Sequence, residues 1–157
     1  MLFQNIRAKN PTAVLVGTGF LISVVVVLPA ALIAQNAEPW SVPADALKVK
    51  NPVPMTGEGL TAIAPLYEQD CARCHGVTGA GTGPAASSLP KEPAKFTDTK
   101  MLKNTTDGAL FWMITTGRDT MPSYAQLSVL QRWQLVNYLR DLARRSQYRW
   151  LGVKHAR

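Results

Sequence analysis

Cys71-Ala72-Arg73-Cys74-His75 sets two thiols two residues apart and an imidazole directly after the second. That spacing is the attachment signature of a c-type haem. Each thiol can add across one haem vinyl group as a thioether, and the adjoining His75 then serves as the proximal iron ligand. Cys71 and Cys74 are the only cysteines in the chain, so no thiol is left over for another use. Competing chemistries fit less well. A thioredoxin-like pair calls for a βαβ surround and gives His75 no role. A structural zinc needs four ligands, and beyond Cys71, Cys74 and His75 the chain offers the distant His155 alone. The expectation is one covalently attached haem c, with iron held by His75.

A second axial position has to be filled or left open. The chain has five methionines: Met1, Met55, Met101, Met113 and Met121. Met1 and Met55 precede the expected haem domain, Met113 falls on an apolar helix face, and Met101 lies in a loop-rich region. Met121 sits in the turn-rich run Gly117-Arg118-Asp119-Thr120-Met121-Pro122-Ser123-Tyr124, just before the last helix. A loop there can bring its sulfur across to the haem face opposite His75. Met121 is therefore the expected sixth ligand, in the His/Met pattern of electron carriers.

The elements that must position these groups read as helices. Leu60, Ile63, Ala64, Leu66 and Tyr67 recur at roughly helical spacing and run into Cys71, with a start or a kink expected at Pro65. Glycines and prolines from Gly76 to Pro93 predict a loop region over 76–105. Thr106-Asp107-Gly108 can cap a short helix ending at Gly117, and Ser128 a longer one with Val129, Trp133, Val136, Leu139 and Leu142 on its apolar face. No stretch shows sustained strand alternation, so the domain is expected to be all-α.

Upstream, residues 12–34 carry no charge and exceed the ~20 residues that cross a hydrocarbon core as a helix. Arg7 and Lys9 precede this stretch, which puts a cytoplasmic lead at 1–11 and the haem domain outside. The stretch reads as a single-pass anchor, with a cleaved signal sequence as the alternative. Pro39, Pro43, Pro52 and Pro54 make residues 35–57 an expected semi-rigid tether. The cytochrome domain would then occupy 58–145, followed by a basic aromatic tail at 146–157. The net charge of +7 is mostly that of the C-terminal end, where Arg140, Arg144, Arg145, Arg149, Lys154 and Arg157 face only Asp141. With no recognition motif beside it, this charge does not point to nucleic acid.

Residues 60–143 resemble the mono-haem class I cytochromes c of bacteria. The resemblance rests on Leu66-Tyr67, Cys71-x-x-Cys74-His75-Gly76, Gly79-x-Gly81-x-Gly83-Pro84, Met121-Pro122-Ser123-Tyr124 and Trp133 to Arg140. It implies several helices around one haem, with the first and last crossing. It also implies that the Pro84 carbonyl accepts a hydrogen bond from the His75 ring, with Pro90 and Pro93 as alternatives. One departure stands out: the family often has glycine eight residues before the first cysteine, where this chain has Ile63. With Pro65 nearby, that argues against the usual helix crossing.

The expected function is one-electron transfer at the periplasmic face of a bacterial inner membrane. The protein would be a subunit of a respiratory or photosynthetic redox complex, or a tethered shuttle beside one, exchanging electrons with its subunits or with a soluble carrier. An open iron site handling peroxide or a diatomic gas is the enzymatic alternative. A mainly structural subunit, docked through the tail, is the third.

Overall fold

The computed structural model describes residues 40–152. The apolar stretch 12–34, the start of the tether and His155 lie outside the described residues. Six α-helices follow one another: α1 (Ala44–Lys48), α2 (Gly57–Asp70), α3 (Ala72–His75), α4 (Thr99–Asn104), α5 (Asp107–Thr116) and α6 (Val129–Trp150). A 3-10 turn at Ala86–Ser88 interrupts the long loop between α3 and α4. Among the described residues there is no strand, only an isolated bridge between Arg118 and Met121. The expected all-α class is what forms.

The helix starts follow from local chemistry. Thr56, Thr106 and Ser128 each accept a hydrogen bond from a backbone N–H of the helix they cap, satisfying one of its orphan donors. At Ser128 the bond is reciprocated by the Gln131 side chain, a full capping box. Gly117 ends α5, as its sequence position predicts. Asp98 caps α4, a helix inside the region expected to be loop.

α2 begins at Gly57 and continues through Pro65. An interior proline forfeits one helical hydrogen bond and costs about 3 kcal/mol. Here Pro65 faces solvent, while Ile63 and Tyr67 on the same helix are buried, and their packing outweighs the loss. The doubt raised by Ile63 is also resolved. α2 packs on α6, Ile63 is inside the core, and the Tyr67 and Tyr138 rings meet with centroids 4.8 Å apart. Gly59, one turn before Ile63, faces α6, with Gln134 Nε2 3.8 Å from where its Cβ would be.

The described part of the expected tether is not a free extended strip. Residues 40–56 form a strap packed on the domain. α1 lies against α5 at Gly108, where a Cβ would collide with the carbonyl oxygen of Ala46 and come within 2.7 Å of Val49 O. Farther along, Asn51 Nδ2 donates to Trp133 O at 3.2 Å and to Asn137 Oδ1 at 2.9 Å. The Asn137 amide returns a bond to Val53 O at 3.0 Å. Proline spacing reports local extension; the docking comes from a niche on helices more than fifty residues away.

The C-terminal boundary also moves. α6 continues past residue 145 to Trp150, so the first five residues of the expected tail are helical. Asp141 is buried on α6 and is held by Arg144 Nη2 at 2.5 Å and Arg145 Nε at 2.7 Å. Arg140 spans to the other side, donating to Leu102 O, to Thr105 O at 2.6 Å and to Asp107 Oδ1. Part of the basic excess thus closes helix ends rather than standing free.

Gly108→Ala tests the strap's seat. The added methyl has to displace backbone, so a stability loss of about 1–3 kcal/mol is expected in chemical denaturation. Limited proteolysis should show faster cleavage within 40–56.

Candidate haem site

The attachment turn is a four-residue helix enclosed by its own downstream chain. Cys71 ends α2, its N–H reaching Tyr67 O, and also opens α3, its carbonyl accepting from the N–H groups of Cys74 and His75. The remaining α3 carbonyls are met by the glycine-rich loop. Gly81 N–H donates to His75 O, Gly83 N–H to Cys74 O and Ala85 N–H to Arg73 O, at 2.8–3.1 Å. Gly83 lies flat on this turn: a Cβ there would run into the Arg73 carbonyl and stand 2.5 Å from Ala72 O. A glycine at 83 is therefore a condition of covering α3 closely, while Gly81 makes room for the Pro93 carbonyl on the returning chain.

Both cysteines are unpaired and half-buried. Burial, with Asp70 and Cys74 beside it adding to the effect, pushes the Cys71 thiol up to about 12.

His75 Nδ1 lies 3.1 Å from the carbonyl oxygen of Ala94. With Nδ1–H as donor, Nε2 keeps its lone pair for iron. Burial favours the neutral ring and holds the His75 pKa below its usual value, outweighing the Ala94 bond, which acts the other way. The ring also stacks on Phe96, centroids 4.5 Å apart and planes 24° off parallel. The accepting carbonyl is thus not that of Pro84, which is exposed just past Gly83. The chain from 84 to 94 travels on before returning to His75, and the acceptor belongs to the residue after Pro93. Neither Ala94 nor Phe96 has a sequence signal of its own, although Pro93 marked the neighbourhood.

Met121 lies in the loop between α5 and α6, half-buried against the core. The N–H of Met121 donates to Arg118 O and that of Arg118 to Met121 O, both at 2.9 Å. Tyr124 ties this loop to the attachment turn: its hydroxyl donates to Asp70 O at 2.7 Å, directly before Cys71. Burial, with Cys71, Asp70 and Cys74 nearby adding to it, pushes the Tyr124 hydroxyl up to about 12. A second buried hydroxyl, that of Tyr67, donates to Gly76 O at 2.8 Å and closes the turn from the other end. Tyr67 stands on the apolar face of α2, and neither hydroxyl has a sequence signal of its own.

These groups suit a haem. Two free thiols and a ring with one nitrogen tied and one free form the donor set that covalent haem needs. Among the described residues no group of three or more His, Cys, Asp or Glu is placed to hold a bare metal ion. Among the described residues no strand-built surround supports a thioredoxin-like pair.

Comparison with known proteins points the same way. Residues 58–139 match the family model described as cytochrome c oxidase, cbb3-type, subunit III. Among solved structures, a chain of the reducing HAO-like protein complex of Kuenenia stuttgartiensis is similar, with 34% identity and a TM-score of 0.53. The match covers 60% of this chain and 49% of that one, so this chain spans about half the length of its solved neighbour. No curated protein matches it.

Two substitutions separate the contacts that matter. Tyr124→Phe leaves Asp70 O without its donor, and a loss of about 1–3 kcal/mol is expected in denaturant unfolding of the haem-loaded protein. Pro84→Ala should leave the reduction potential unchanged, because the His75–Ala94 bond does not involve it.

Proposed function

We propose, from a chain that belongs to the cytochrome c family described as cytochrome c oxidase, cbb3-type, subunit III, that this protein carries single electrons through a haem c ligated by His75 and Met121 on the outer side of a bacterial inner membrane. When bound, the haem supplies the one-electron Fe(II)/Fe(III) couple. The chain's own residues govern how that couple is used. Cys71 and Cys74 fix the macrocycle's position through thioether bonds. His75, held by Ala94 O, presents Nε2 in a set orientation, and the Phe96 ring limits its rotation.

The observation that carries the sixth-ligand assignment is the Tyr124–Asp70 bond, which brings the Met121 loop beside the attachment turn. The other described methionines are less suited. Met55 is exposed in the strap, Met101 lies on α4 with its sulfur 3.8 Å from Thr105 Oγ1, and Met113 lies within α5. Thioether ligation raises the potential and leaves no open position for peroxide or a gas.

The uncharged stretch 12–34, with Arg7 and Lys9 before it, supports a single-pass anchor and an external haem domain. A structural neighbour drawn from a protein complex supports work with redox partners, as a subunit or as a tethered shuttle.

Met121→Leu tests the assignment. The ferric protein should lose its sulfur-to-iron charge-transfer band and become high-spin, the ferrous form should bind carbon monoxide, and the potential should fall. A wild-type protein that is already high-spin and binds carbon monoxide would overturn the electron-carrier reading. Retention in the membrane fraction through alkaline carbonate washing, lost when 12–34 is deleted, checks the anchor.

A further inference from the structure

Trp40 lies outside the residues matched by the family, 58–139, yet it reaches the turn that carries Met121. Its ring meets Trp112 edge-on, with centroids 6.0 Å apart. The Arg118 guanidinium sits over the same ring, its Cζ 4.7 Å from the centroid. Arg118 is the residue whose backbone exchanges both hydrogen bonds with Met121. Between them Asp119 takes a left-handed conformation, φ 53°, and its Oδ2 lies 3.2 Å from Arg118 Nε. The Arg118 side chain is only 26% exposed, so its attraction to the indole acts in partly desolvated surroundings, where a cation–π contact is strongest.

The indole is in turn held by the strap. α1 is seated at Gly108, and Asn51 is bonded to Trp133 O and Asn137 on α6. A load path runs from α5 and α6 through the strap to Trp40, then Arg118, then the backbone of Met121. On its other flank the loop is fixed by Ser123 Oγ to Thr115 O at 2.7 Å and by Tyr124 to Asp70 O. Between those points, the two backbone bonds of the 118–121 turn, the packing of Met121 on the core and the Trp40–Arg118 contact resist local opening.

We infer that Trp40 is a positioning residue for the sixth haem ligand: by clamping Arg118 it stabilises the turn that presents the Met121 sulfur and slows that sulfur's release from iron. The inference rests on the Met121 assignment above and extends it to a residue outside the family match.

Entry of imidazole into the full-length, haem-loaded ferric protein reads the release directly, because at saturating imidazole the rate is limited by departure of the Met121 sulfur. Trp40→Leu and Arg118→Gln should each speed entry roughly tenfold, as loss of a partly buried cation–π contact implies. Trp40→Phe and Arg118→Lys, which keep a ring and a cation, should restore most of the wild-type rate. The double variant Trp40→Leu, Arg118→Gln should be no faster than either single one, since both remove the same contact. Wild-type entry rates in both single variants, or additive acceleration in the double, would overturn the clamp. If Trp40→Leu does not load haem, Arg118→Gln decides the matter alone. Failure of the underlying assignment looks different: Met121→Leu would then leave the wild-type sulfur-to-iron band untouched.

Discussion

A histidine that binds iron must carry its proton on the nitrogen facing away and must not rotate. In this chain the Ala94 carbonyl meets the first condition and the Phe96 ring the second. Bringing those two residues back to His75 dictates the path of everything between them. The chain leaves α3 at Gly76, folds flat across it at Gly83, turns through Ala86–Ser88 and returns, where Phe96 N–H donates to Gly79 O at 2.6 Å. The loop circles the attachment turn, with Gly83 against that turn's carbonyls and Gly79 and Gly81 against the returning segment of Pro93 to Phe96. Every α3 carbonyl it satisfies is one that does not need water at a site meant to hold an apolar macrocycle.

The opposite wall uses the same economy of polar ties. Tyr124 supplies a donor to Asp70 O at the end of α2, and Tyr67 one to Gly76 O. Both rings contribute apolar bulk while their hydroxyls close backbone groups that helix ends leave open. The α2–α6 pair then fixes the distance between the attachment turn and the rest of the core, with Tyr67 against Tyr138 at the contact.

What could be read from residues alone was what depends on short range. The thiol–thiol–imidazole spacing, the caps at Thr106 and Ser128, the stop at Gly117 and the all-α class are local or periodic, and each matches the structure. What escaped is set by distant neighbours. The acceptor for His75 lies nineteen positions away and is a backbone atom, so no side chain announces it. Residues 40–56 carry the prolines of an extended strip, but Gly108 and Asn137 make a seat for them. Pro65 signals a start or a kink, and the start lies earlier, at Gly57, with buried Ile63 and Tyr67 flanking the proline. α4 lies among loop-forming residues and is held partly by Arg140 reaching across from α6.

The strap also sets an order of events. Asn51 finds its partners on α6 across separations of 82 and 86 residues, and α1 finds its niche on α5. Contacts so far apart along the chain cannot close until both helices have been made and have come together. The strap precedes the haem-binding residues in the chain, yet its partners Gly108, Trp133 and Asn137 all follow them. The thiols of Cys71 and Cys74 therefore pass through a period when the domain's N-terminal edge is still undocked. A segment that precedes the attachment motif in the chain thus takes its seat from helices that follow the motif.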